Sequence, residues 1–133
     1  MAEPAKLKPL IFVGPSRRDL QAFPEDAKDA IGLTLMRIQF GDRPPSVKPL
    51  HGFGGASVLE VIADDDGNTY RTVYTVKFAG RIYVLHAFQK KSRSGRATPK
   101  NHIELIKQRL KQAEQIHRQW LIDIEAQKRR PTS

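Results

Sequence analysis

Apolar residues along this chain follow two rhythms, and the switches between them mark the elements. Leu10 to Val13 is a short apolar run closed by Gly14-Pro15, which predicts a first strand. Ser16 followed by Asp19 has capping-box spacing and predicts a short helix over Arg17 to Ala22. Pro24 suits the first position of a second helix, with Glu25 and Asp26 favourable in its first turn. Ala27, Ala30, Ile31, Thr34, Leu35 and Ile38 keep the helical period, and Gly41 is placed to end it. These two helices are expected to form a hairpin. Residues 42–55, with three Pro and three Gly, predict a loop.

A period of two then takes over. Ala56 to Ala63 predicts a strand, and Asp64 to Asn68 holds the Asp-Gly pair of a hairpin turn. Tyr70 to Phe78 is the next strand, and Ala79-Gly80 turns it into Arg81 to Phe88. The result is a three-strand antiparallel meander, joined at its edge by the N-terminal strand. After a loop over Gln89 to Ala97, Thr98 as N-cap and Pro99 at the first position start a long helix. Its stripe of Ile103, Ile106, Leu110, Ala113, His117, Trp120 and Ile124 continues to about Ala126, roughly 40 Å of helix. Residues 127–133 form a basic tail expected to fray. The whole chain, 1–133, predicts one α+β domain: an N-terminal strand and helix hairpin on a small antiparallel sheet, then a long C-terminal helix. One helix hairpin covers one face of that sheet and leaves the other partly open.

Charge changes the picture. Arg71 to Lys111 holds eleven Lys and Arg against a single acid, Glu104, a balance of +10 within a chain of +9. The rest is therefore close to neutral. This basic segment interleaves its charges with aromatic and β-branched residues, so it predicts a folded surface for a polyanion, most often nucleic acid. Cys is absent, which excludes disulfides and thiol chemistry and fits a reducing, cytoplasmic setting. The four His are far apart in sequence and predict no metal site. No run approaches the ~20 apolar residues of a membrane span, and the N-terminal apolar run is too short for a signal segment.

Candidate chemistry gathers on the last two strands. Arg71, Val73, Thr75 and Lys77 share one face of their strand, opposite the apolar Tyr70, Thr72, Tyr74, Val76 and Phe78, which places Arg71 and Lys77 on the open side. In the next strand Ile82, Val84, His86 and Phe88 alternate with Arg81, Tyr83, Leu85 and Ala87. Both sets are mostly apolar, so His86 could join either face, as a satisfied core histidine or as a functional one. Lys90, Lys91, Arg93, Arg96 and Lys100 follow. Metal-free RNA cleavage needs a proton taken from the 2′-OH, charge stabilised on phosphorus, and a proton given to the 5′-oxygen. Clustered cations serve the second need, and a crowded Lys can be lowered into a useful acid–base range. The same cluster could equally bind phosphate without chemistry. His51-Gly52-Phe53-Gly54-Gly55 is no phosphate loop, because no Gly-Lys-Ser/Thr follows it.

Several of these motifs together resemble a known family. Tyr70-Arg71 with Tyr74, Val84-Leu85-His86-Ala87-Phe88 with Lys90-Lys91, and Thr98-Pro99-Lys100 opening a helix with Glu104 look like the phage-derived, Gp49-like branch of the RelE/HigB toxin superfamily. The resemblance is strong over about residues 56–112 and weaker before. It implies a RelE-like fold and a toxin of a type II toxin–antitoxin pair, a ribosome-dependent endoribonuclease that cuts mRNA. The implied partners are mRNA on the ribosome and a cognate helix-turn-helix antitoxin, with no cofactor and no membrane. It also implies that Arg71, Lys90 and Lys91 grip and cleave RNA with His86 beside them; the other cations of the basic segment, Lys77, Arg81, Arg93, Arg96 and Lys100, are expected to bind its backbone. Many relatives carry Glu-Leu-Arg on the second meander strand, where this chain has Glu60-Val61-Ile62. The rival readings are a ParE-like toxin that inhibits gyrase and a non-catalytic RNA-binding module of the double-stranded-RNA-binding kind.

Overall fold

The computed structural model describes residues 7–55, 57–90 and 98–129. Its elements run β1 (Leu10–Phe12), α1 (Ser16–Gln21), α2 (Glu25–Gln39), β2 (Val47–Pro49), β3 (Val58–Asp65), β4 (Asn68–Thr75), β5 (Ile82–Lys90) and α3 (Lys100–Lys128). The five strands make one sheet in the order β1-β5-β4-β3-β2. Its centre is the expected meander, with β3, β4 and β5 antiparallel. β1 joins the β5 edge in parallel, Leu10 opposite Ile82, so the sheet is mixed. The α+β architecture anticipated from the sequence, helices on a small sheet with a long C-terminal helix, is the one observed.

Local chemistry explains several boundaries. Asp65 lies opposite Asn68, which leaves Asp66 and Gly67 as a two-residue turn with φ of 50° and 78°. Two successive positive φ values are what the twist of a tight hairpin demands. At the end of α2, Gly41 (φ 96°) donates its N–H to Ile38 and Asp42 donates to Arg37, a Schellman closure.

Other expectations need correction. Residues 42–55 are not all loop: Val47–Pro49 pairs antiparallel with β3, Val47 opposite Val61, as a short edge strand. Ser16 is not an N-cap; it lies inside α1, and its hydroxyl donates to the Val84 carbonyl of β5 at 3.1 Å. That bond ties α1 to the sheet instead of closing its own first turn. Pro99, not Thr98, stands at the N-cap of α3, and the Thr98 hydroxyl makes no bond among the described residues. Pro99 provides the carbonyl for the first helical bonds, from His102 and Ile103. The helix continues through Lys128, a little past the predicted end; residues 130–133 of the tail lie outside the described residues.

Both sheet faces are covered. Ala27, Ile31, Leu35 and Ile38 of α2 pack on Leu59, Val61, Tyr70, Tyr74, Ile82 and Val84, while Ala30 is exposed. On the other face, Ile106 and Ala113 of α3 pack on Val58, Val73, Tyr83, Leu85 and Phe88. The face expected to stay partly open is thus closed by α3 along β5. Arg71, placed there by the strand period, is buried and not solvated.

Candidate active site

A break in strand alternation builds the site. Val73 pairs with His86, but the next pair is Tyr74 with Val84, so Leu85 is an extra residue in β5. Such a bulge turns two successive side chains to one side. Leu85 and His86 both face α3, and Phe88 and Lys90 follow at the strand period. His86 and Phe88 therefore do not share a face with Ile82 and Val84, as strict alternation implies.

Across the sheet, Glu60, Arg71, Phe88 and Lys90 come to the same side. Glu60 lies opposite Val73, Arg71 opposite Phe88, and Lys90 opposite Thr69. The Arg71 guanidinium donates through Nη1 to both Glu60 oxygens, at 3.0 and 3.1 Å. Arg71 is 4% exposed and Glu60 7%, so this is a buried ion pair, held by charge-assisted bonds in a setting where either partner alone would be costly. Lys90 is the last residue of β5, not a loop lysine, and is 8% exposed. Burial pushes its ammonium below the usual lysine range; the Arg71 charge adds to this and Glu60 opposes it. Ile62 pairs with Arg71.

Beside this group lies a histidine relay. His86 Nε2 sits 2.8 Å from His102 Nδ1, and His86 Nδ1 sits 3.0 Å from Arg109 Nη1, which also donates to the Leu85 carbonyl at 3.0 Å. Phe88 stacks on His102 at 4.2 Å and on His86 at 5.0 Å between ring centres. His86 is buried, whereas His102, in the first turn of α3, is half-buried. Burial, then the Arg109 and His102 charges, pushes His86 down to about 4 against the opposing pull of Asp19. His102 is lowered by burial as well.

The remaining predicted cations are dispersed. Lys77 and Arg81 flank the β4–β5 turn, nine residues of strand from Lys90, or about 30 Å. Lys77 borders a cleft of about 460 Å³ with Lys107, Lys111, Glu104 and Glu114. Arg81 packs over the Trp120 ring at 4.1 Å and donates to the Tyr83 hydroxyl, which is hydrogen-bonded in turn with His117 Nδ1 at 2.8 Å. Lys100 is exposed at the start of α3, two residues before His102. Lys91, Arg93 and Arg96 lie outside the described residues. No group of three or more potential metal ligands occurs among the described residues, and no helix there is long and apolar enough to cross a membrane.

Three participants are absent from the sequence-based candidates: Glu60, His102 and Arg109. Arg109 had a legible signal, since it occupies the inward position between Ile106 and Ala113, where an arginine must find a buried partner. Glu60 had a similar one, an acid inside the apolar run Val58 to Ile62. Nothing in the spacing of His86 and His102 announces their contact.

The comparisons concern the family and the fold. Residues 18–111 match the family model described as phage-derived protein Gp49-like. A mutant of the Escherichia coli toxin RelE in its free state has a similar fold, with a TM-score of 0.53 and 13% identity over 80% of this chain and 98% of that one. The RelBE2 toxin–antitoxin complex from Mycobacterium tuberculosis is more distant, with a TM-score of 0.45 and 17% identity over 68% of this chain and all of the matched chain (100%). Comparison with curated protein sequences gives no significant match. On the family match, the chain belongs to the phage-derived Gp49-like family, and it shares the fold of the RelE toxin.

Proposed function

We propose that this protein is the toxin of a type II toxin–antitoxin pair and arrests growth as a metal-independent endoribonuclease that cleaves mRNA on the ribosome. The observation that carries this reading is the gathering of Lys90, the Arg71–Glu60 pair and the His86–His102 relay at one end of one sheet face. A lysine whose ammonium is lowered by burial and by a neighbouring guanidinium releases its proton more readily than an exposed one, and while charged it can meet charge growing on phosphorus. Arg71 acts through its neighbours: it holds Glu60 and biases Lys90. Lys100 extends the cationic surface, and the Lys77, Lys107 and Lys111 cleft gives the RNA backbone a second hold. Arg81, engaged with Trp120, is assigned only a peripheral place. A helix-turn-helix antitoxin that covers the basic face is the expected partner, its association faster at low salt.

The test is induction of the wild type and of Lys90→Met, which keeps the buried stem and removes the charge. Wild type should stop protein synthesis and leave breaks in ribosome-bound reporter mRNA, in chelator as well as without it. Lys90→Met should fold and cleave about 100- to 1000-fold more slowly, the scale of a lost charge-stabilising group. Intact mRNA with a DNA-damage response would favour the gyrase-inhibiting reading. RNA bound without cleavage would favour the binding module.

A further inference from the structure

A buried arginine dictates where the protons of two histidines sit. Arg109 Nη1 lies 3.0 Å from His86 Nδ1, and a guanidinium nitrogen can only donate. His86 Nδ1 is therefore the acceptor. Its neutral ring carries its one proton on Nε2, which is 2.8 Å from His102 Nδ1. His86 donates there, so His102 Nδ1 is an acceptor too, and the proton of a neutral His102 is on Nε2. That atom lies on the far side of the ring and makes no hydrogen bond among the described residues. Three N–H bonds in series thus run outward from the core: Arg109 to His86, His86 to His102, and His102 to whatever lies beyond.

The chain is held from several sides. Arg109 is anchored by the Leu85 carbonyl, and its guanidinium packs against Gly14, where an added Cβ would stand 3.5 Å from Nε. Gly14 has φ 56°, so the turn there favours glycine. Phe88 fixes the planes of both imidazoles.

We propose that His102 contacts the scissile phosphate directly, donating Nε2–H from a neutral ring to a non-bridging oxygen, with His86 and Arg109 as its positioning residues. This rests on the ribonuclease reading above. In the reaction, the 2′-oxygen loses its proton to a base and bonds to phosphorus, the bond from phosphorus to the 5′-oxygen breaks, and that oxygen takes a proton from an acid. His102 takes part in neither transfer. To accept a proton at Nε2 it would have to move its own to Nδ1, which faces a His86 Nε2 that already bears one. The fixed donor instead gains strength as charge accumulates on the phosphorane oxygens. Proton exchange is left to Lys90 and to groups of the substrate or ribosome. The charged and titratable groups bearing on the pair are Arg109 from α3 and Asp19 from α1.

The experiment is single-turnover cleavage of a ribosome-bound reporter mRNA by wild type and by His102→Gln, His102→Asn, His102→Ala and His102→Phe, with melting temperatures measured alongside. Glutamine places an N–H near the former Nε2 position, whereas asparagine places one near Nδ1. His102→Gln should stay within about tenfold of wild type, while the Asn, Ala and Phe variants fall about 100-fold or more in rate at saturating substrate. His86→Leu should slow the wild type but add nothing to His102→Ala, the signature of acting through it. The wild-type rate between about pH 6 and 8 should carry no limb that His102→Gln removes. Equal loss in the Gln and Ala variants, or such a limb, would overturn the proposal in favour of proton transfer. Full activity in His102→Phe would reduce the residue to a stacking surface. A folded wild type that leaves the mRNA intact fails the ribonuclease reading itself and takes this proposal with it; a misordered variant series fails only this one.

Discussion

On the α2 face of the sheet, the buried cluster from Leu20 to Ala87 is built of aliphatic side chains and two tyrosines. On the α3 face, Glu60, Arg71, His86, Lys90, Arg109 and His117 are buried among Val, Leu and Phe. Both faces belong to the same strands, so their backbone and length are shared, and what differs is the chemistry beneath the helix. The first face stabilises by removing apolar area from water, on the order of 25 cal/mol per Å². The second takes charges out of water and recovers that cost only through specific partners. A face of the second kind is a poor way to add stability and a good way to fix a cation or an imidazole in one protonation state.

The comparison breaks most visibly at Arg71. Arg71→Ala leaves the Glu60 carboxylate buried without its guanidinium, a loss on the order of 3–5 kcal/mol. Replacing both partners, as Glu60→Met with Arg71→Met, should return most of that stability while cleavage stays lost. Urea unfolding of the three proteins checks it. If Arg71→Ala unfolded within 1 kcal/mol of wild type, the pair would not be the structural element its burial implies.

On the opposite face, Leu35→Ala removes a side chain that is 2% exposed and belongs to the apolar cluster beneath α2. The expected cost is about 3 kcal/mol from lost transfer energy and an unfilled cavity. Below the melting transition, the cleavage rate per folded molecule should be unchanged. A fall in that rate as large as the Lys90→Met effect would mean that the two faces are not separable.

Those two faces were unequally legible. The α2 face follows from periodicity alone: Ala27, Ile31, Leu35 and Ile38 repeat as a helix, and Tyr70, Thr72 and Tyr74 alternate as a strand. Turn chemistry at Asp66-Gly67 and Gly41 was equally plain, because each needs a conformation that few residues tolerate. The α3 face resisted because its decisive feature is one extra residue in β5. Nothing in Val-Leu-His-Ala-Phe says where alternation breaks, so His86 could not be assigned a side. β2 was missed for a related reason: three residues between prolines carry too little pattern, and their strand state comes from pairing with β3. Lys90 passed for a solvated loop residue since burial by neighbours distant in sequence leaves no local trace.

The smallest effect in this series is a pH dependence that belongs to the polar face. Within the fold His86 is pushed down to about 4, whereas in the unfolded chain it titrates near its ordinary value of about 6.5. Between those values the unfolded state binds a proton that the native state refuses, so stability rises with pH across the window. It is fully present above about pH 6.5 and is lost progressively as pH falls toward 4. From pH 7.5 to pH 5 the loss from His86 alone should be about 2 kcal/mol. His102 and His117, both lowered chiefly by burial, act in the same direction. In His86→Leu the acid-side loss should shrink, because the titrating group is gone while the apolar wall of Phe88 remains to pack against. Urea titrations at several pH values, for wild type and variant, decide it. A wild type as stable at pH 5 as at pH 7.5 would show that His86 accepts its proton in the fold, and the fixed direction of the relay would then be wrong.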